Sequence, residues 1–205
     1  MKSVSCLGHG LFLGLIMSRF FAMMASRLLP LRKERGDFMK KVFSLWISHF
    51  SIWIYAAILV GLCGHLIAVG EFFQHWYLGF VLLVAPFYEW VVHKYVLHMD
   101  PSIQWGWLQR FFERLHRGHH KQPYDVPMIF AQWYVGATFP LQFYLLGRVC
   151  MLGHFESLFL GTVAIAYYMF YEWMHLAHHV DEYIPRTKRG AMLKKAHKWH
   201  HFKNE

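Results

Sequence analysis

Ser157–His179 reads SLFLGTVAIAYYMFYEWMHLAHH, and this stretch decides the fold. From Ser157 to Tyr171 it carries no charged residue; it then passes Glu172 and ends in His175, His178 and His179. Such an apolar run suits a helix in lipid, where about 20 residues cross the hydrocarbon core. The end of the run has a different chemistry. His175 with His178 or His179 falls on one helical face. One segment therefore reads as a membrane span that delivers imidazoles where it leaves the bilayer.

Three further runs have the same apolar character. Val42–Gly70 holds no Asp, Glu, Lys or Arg, Phe72–Tyr88 is charge-free up to Glu89, and Met128–Gly147 is charge-free up to Arg148. The linkers near Gly70–His75 and Leu152–Phe155 are short, so the runs pair into antiparallel hairpins. Lys and Arg gather in Arg27–Lys41, Lys94–Lys121 and Arg186–Lys203, which four spans place on one side. The positive-inside rule makes that side cytoplasmic. The expected fold is an all-α integral membrane protein. It has four transmembrane helices in two hairpins and a cytoplasmic, histidine-rich helical cap. Residues 1–41 are expected to form an N-terminal interfacial or cytoplasmic segment, and 42–205 the membrane domain. Lys2 and the apolar Cys6–Met17 resemble a signal peptide, but export would put Arg27–Lys41 outside. An interfacial helix over residues 1–26 fits the charge better.

Composition agrees. Of 205 residues, 56% are hydrophobic and 16% charged, below the quarter expected of a soluble domain. The net charge of +9 lies beside apolar runs, which suits lipid headgroups. It forms no separate basic stripe, so no nucleic-acid partner is expected. Cys6, Cys63 and Cys150 are scattered and provide neither a disulfide framework nor a metal clip.

Sixteen histidines are the anomaly. They follow an internal repeat. Tyr88-Glu89-Trp90 precedes His93, and Tyr171-Glu172-Trp173 precedes His175. Each is followed by a His-x-x-His-His: His116, His119 and His120 in one copy, His197, His200 and His201 in the other. Within each triplet the spacing allows all three rings to face one locus. His93 and His98, five apart, need a distorted helix end or two different metals. All these groups lie on the cytoplasmic side of four spans. Imidazole suits Zn, Cu, Fe and Ni, and the count suits two metals with four or five ligands each. An uncoordinated pH-sensing patch is the alternative, although so many imidazoles would repel once protonated. Glu89 and Glu172, one turn before His93 and His175, are expected to orient ligand imidazoles through their second ring nitrogen. The remaining histidines, His9, His49, His65, His75 and His154, stand alone and read as packing or interfacial groups. Arg110, Arg114, Lys194 and Lys195 are candidates for an anionic headgroup, or simply positive-inside charge.

His93-Lys94-Tyr95-Val96-Leu97-His98-Met99 and Leu115-His116-Arg117-Gly118-His119-His120-Lys121-Gln122-Pro123-Tyr124-Asp125 resemble the fatty acid hydroxylase/sterol desaturase superfamily. They look most like fatty acid 2-hydroxylases. Tyr171–His179 and Leu193–Phe202 match the later boxes, so the resemblance covers roughly residues 80–205. It implies a dimetal oxygenase with two iron ions, zinc being possible as isolated. The implied ligands are His93, His98, His116, His119, His120, His175, His179, His197, His200 and His201, with His178 as a non-ligating neighbour. The implied reaction uses O2 to hydroxylate or desaturate a lipid from the bilayer, most simply a fatty acyl chain. Eukaryotic 2-hydroxylases carry a fused cytochrome b5-like domain. Nothing here corresponds to it, which implies an external electron donor such as a cytochrome b5- or ferredoxin-type protein. The chain stops four residues after His201, which predicts thin support for the final triplet. A second reading is a catalytically inactive histidine-rich membrane protein that scaffolds or stores metal. A metal transporter would spread its histidines through the spans.

Overall fold

A computed structural model describes residues 38–99 and 105–203. The chain divides between Lys41 and Val42, and the fold described here is that of the second unit. The expected interfacial helix over residues 1–26 lies outside the described residues. Among the described residues every regular element is helical.

Residues 42–48 are helical and a bend at His49 leads into α1, Phe50–Ala68. Gly70 ends this helix in the left-handed region at φ +78°, with its N–H on the Ile67 carbonyl. A glycine takes that conformation without a Cβ clash. A short 3-10 turn, Trp76–Phe80, runs into α2, Val81–Val92, and then into a π-helical turn, His93–Leu97. The next rod repeats this design: α3, Gly106–Phe112, passes into a second π turn, Glu113–Arg117, and then α4, Gly118–Lys121. After α5, Val126–Ile129, the long pair α6, Trp133–Val149, and α7, His154–His179, form a hairpin, and α8, Lys188–Lys203, follows.

Two helices are long and apolar enough to cross a membrane: Phe50–Ala68 and the continuous rod Trp76–Leu97. None of the residues in α2 is buried, and Leu83 and Phe87 are 83% and 66% exposed. In water that much apolar surface is unfavourable; lipid would cover it. The other two apolar stretches fold differently from free-standing spans. With 17 residues, α6 rises only about 26 Å. Half of α7 is buried against its neighbours, including Ile165, Tyr168, Leu176 and Ala177 in the main core.

Small residues let α6 and α7 approach closely. A Cβ at Gly161 would come within 2.5 Å of the Pro140 carbonyl oxygen. Small residues at such a crossing let the backbones approach. Substituting Gly161→Leu should therefore force the hairpin apart and cost about 2 kcal/mol or more. Thermal unfolding of the purified protein, read against a surface control, checks this.

Candidate metal centre

The repeat places its histidines on four elements that converge at one end of the long helices. The π turn answers the five-residue spacing of the first pair. A π turn holds more residues than an α turn, so His93, which opens it, and His98, which follows it, reach the same place. The second π turn brings the end of its rod, with His116, His119 and His120, into the buried interior.

The ten imidazoles sort into two groups of five. His93, His98, His116, His120 and His200 form the first group, and His119, His175, His179, His197 and His201 the second. Within each, one nitrogen per ring lies within 4.8 Å of all the others. His178 belongs to neither, although its ring is 5.3 Å from that of His197.

The triplets do not each point at one locus; they divide. His116 and His120, with ring centroids 4.5 Å apart, serve the first group while His119 turns to the second. His197 and His201, 4.7 Å apart, serve the second while His200 crosses to the first. Positions i and i+4 nearly eclipse along a helix, whereas i+3 is rotated to the other side of them. Each copy of the repeat thus lends one histidine to its twin.

The distances fit metal ions. In the first group the Nε2 atoms of His93 and His200 are 2.7 Å apart, those of His116 and His120 2.8 Å, and those of His98 and His116 3.0 Å. In the second group His179 and His197 are 2.7 Å apart and His197 and His201 3.2 Å. Nitrogens bound at right angles about 2.1 Å from one ion would sit about 3.0 Å apart. Hydrogen bonding alone does not satisfy this arrangement. His200 Nε2 meets both His93 and His98, yet a neutral imidazole nitrogen offers one proton or one lone pair. Both ring nitrogens of His119 and Nε2 of His175 are buried without a hydrogen-bond partner. A cation in each group would satisfy one nitrogen of every ring in it.

The cap histidines are held neutral, as ligands must be. Burial, then the neighbouring imidazoles, presses His119 down to about 2, His120 and His201 to about 3 and His200 to about 4. Burial drives His116 and His197 lower still, and His98 shifts the same way through burial and Arg117. The unfolded chain takes up these protons near pH 6.5 and the folded chain does not. Stability is therefore intact above about pH 6.5 and falls progressively as pH drops toward 3. Metal should leave over the same acid range. Chemical denaturation of the metal-free protein at pH 7.5 and pH 5 should show a lower midpoint at pH 5. Equal midpoints would remove the linkage.

Around the histidines the structure adds groups that spacing did not reveal. Lys194 is buried and donates to the carbonyls of Val180, Asp181 and Tyr183, which ties α8 to the end of α7. It is thus a structural cation rather than a free headgroup ligand. Lys195 lies over the Trp199 ring, and Arg114 contacts Met128 and the Pro127 carbonyl beside Arg110 in a small cavity of 210 Å³. Glu89 accepts from the Tyr167 hydroxyl at 2.7 Å. Glu172 is fully buried, and neither of its oxygens closes a well-formed hydrogen bond, to an imidazole or otherwise. The lone histidines make local contacts: His49 stacks on Phe130, His75 pairs with Glu71 and His154 meets Tyr144. His65 is exposed, and His9 lies outside the described residues.

A cavity of 470 Å³ is lined in part by these histidines. It runs between α2, α6 and α7, walled by side chains such as Val81, Ala85, Phe139, Phe143 and Ala164. His93, His116, His119 and His175, drawn from both groups, form part of its lining.

A family model described as fatty acid hydroxylase matches residues 78–205, more than half of the chain. The chain belongs to the fatty acid hydroxylase family. The match takes in all ten grouped histidines and the cavity. Dihydroceramide fatty acyl 2-hydroxylase FAH1 of Arabidopsis thaliana is 25% identical over 122 residues, 60% of this chain. The chain spans about half the length of that curated relative, 49%. No solved structure matches it significantly. The two histidine groups, both within the matched region, are sites that could hold metal ions.

Proposed function

We propose that this fatty acid hydroxylase is a membrane-bound, iron-dependent dimetal oxygenase that hydroxylates a fatty acyl chain of a bilayer lipid. The observation that carries the reading is the meeting of an apolar cavity with two five-histidine groups. A metal store needs the histidines but not the cavity. A volume of 470 Å³ falls in the usual range for a bound organic ligand.

In this reading His93, His98, His116, His120 and His200 hold one iron, and His119, His175, His179, His197 and His201 the other. Once bound, the irons supply O2 reduction and oxidation of a C–H bond, with electrons from an external cytochrome b5- or ferredoxin-type donor. The protein supplies position. The cavity walls hold the alkyl chain out of water and aim one carbon at the histidine end. All-nitrogen ligation leaves the side chains little acid–base work. Lys194, by fixing the start of α8, keeps His197 and His201 aligned with His179. The similarity to a fatty acyl 2-hydroxylase supports oxidation near the carboxyl end of the chain.

Residues 42–205 carry this machinery. Four spans, with α6 and α7 completing what α1 and Trp76–Leu97 begin, put the basic cap and both metals on the cytoplasmic face. The concentration of Lys and Arg on that side supports it.

The test uses purified protein loaded with iron, in bilayer nanodiscs with a reductant and defined lipids. Oxygenation should give a product 16 mass units heavier that is absent under nitrogen. Full metal loading with no O2-dependent product would overturn the reading.

A further inference from the structure

The rod over residues 106–121 buries His116, His119 and His120, yet the same rod keeps Arg110 and Lys121 exposed. These two cations and Arg114 line the cavity of 210 Å³, with Glu113 beside them. Lys121 Nζ meets a Glu113 oxygen at 2.5 Å, so that charge is balanced. The two guanidinium groups are not balanced. Arg114 donates to the Met128 sulfur at 2.9 Å and to the Pro127 carbonyl at 3.3 Å, and neither acceptor carries a charge. Arg110 pairs with no described residue. Two uncompensated cations lining one cavity repel each other, and an anion between them turns repulsion into attraction. The guanidinium fork matches phosphate oxygens two at a time.

The rod also stands at a membrane margin. Arg117 donates to the Met99 carbonyl at 2.6 Å, two residues beyond the apolar Trp76–Leu97 rod. Trp105 and Trp107, with ring centroids 6.2 Å apart, are 64% and 62% exposed. Exposed indoles at a span margin suit the headgroup layer of a bilayer.

We infer that Arg110, Arg114 and Lys121 form a phosphate site, filled by the headgroup of an anionic phospholipid, of which phosphatidic acid is the simplest. A choline headgroup would bring a cation to cations, so zwitterionic lipids are disfavoured. Binding fastens the rod that carries three of the grouped histidines to the bilayer surface. The lipid source rests on the membrane-bound reading; the phosphate chemistry does not, and neither depends on turnover.

The experiment is native mass spectrometry of the metal-loaded protein in a neutral detergent, which counts bound ligands and gives each Kd. The ligands are dihexanoyl phosphatidic acid, dihexanoyl phosphatidylcholine and inorganic phosphate. Wild-type protein should bind one phosphatidic acid at least roughly tenfold more tightly than phosphatidylcholine. Arg110→Gln and Arg114→Gln should each weaken phosphatidic acid by roughly tenfold and leave phosphatidylcholine unchanged. A control that removes two exposed charges that do not line the cavity, Lys188→Gln with Lys195→Gln, should bind phosphatidic acid as wild type does. Equal binding of the two lipids by the wild type overturns the proposal. So does a preference that survives in the double arginine variant, which would put the phosphate elsewhere, the metals included. An equal loss in the lysine control would reduce the effect to diffuse surface charge and also overturn it. Inorganic phosphate binding as tightly as phosphatidic acid would overturn the lipid assignment and keep the phosphate site. If Arg114→Gln fails to fold, Arg110→Gln, which breaks no contact with a described residue, decides alone. A phosphatidic acid preference in a protein that yields no O2-dependent product would leave this site standing and sink only the oxygenase reading.

Discussion

His200→Ala should strip metal from the group that contains His93, although its sequence neighbours His197 and His201 serve the other. The Nε2 atom of His200 lies 2.7 Å from that of His93, while its ring is 6.3 Å from that of His197. After dialysis against a mild chelator, the single variant should retain about one metal per chain. Activity should fall by at least about a thousandfold, some 4 kcal/mol of transition-state stabilisation. Double variants resolve the assignment. His93→Ala with His200→Ala should again retain about one metal, because both changes damage the same site. His200→Ala with His201→Ala should retain about none. Residues of one site are non-additive and those of two sites add. The opposite pattern, in which His200 and His201 behave as one site, would refute the exchange between repeats.

Filling the cavity should be nearly as damaging while leaving the metals in place. Ala164 is buried on α7 and lines the cavity. In Ala164→Phe a phenyl ring would occupy space assigned to the lipid chain. We expect kcat/KM to drop about a hundredfold or more on long-chain lipids, with unchanged metal content and metal absorption spectrum. A shorter acyl chain should recover part of the activity. Equal loss of metal and activity would instead indicate overpacking of the helix core.

The two effects separate the parts of the site that were legible in the sequence from those that were not. The histidines announced themselves because i and i+4 spacings survive any helical fold, and because the repeat wrote them twice. Their partition did not. Nothing in His-x-x-His-His says that its middle histidine faces another metal until the twin rod is in place beside it. The five-residue gap between His93 and His98 was visible as an irregularity, and the π turn is its physical resolution. Lys194 read as one of several cap cations; only burial against three carbonyls at the end of α7 distinguishes it. Glu89 was legible as a carboxylate near a span end, but its partner Tyr167 lies 78 residues away, on the facing helix.

The apolar runs tell a similar story. Val42–Gly70 and Phe72–Tyr88 carry enough unbroken hydrophobicity to form α1 and the Trp76–Leu97 rod. Met128–Gly147 is as free of charge, yet α5 and the start of α6 split it. Pattern alone gives the length of an apolar run, not where the chain turns within it. Phe130, between α5 and α6, is buried in the core, a tertiary contact that the pattern does not show.

X-ray absorption at the metal K-edge of the purified protein tests the central claim most directly. Two groups of five imidazoles predict a shell of about five nitrogen neighbours near 2.1 Å, with strong imidazole scattering and no sulfur. A spectrum with thiolate neighbours, or with fewer than three imidazoles per metal, would contradict it.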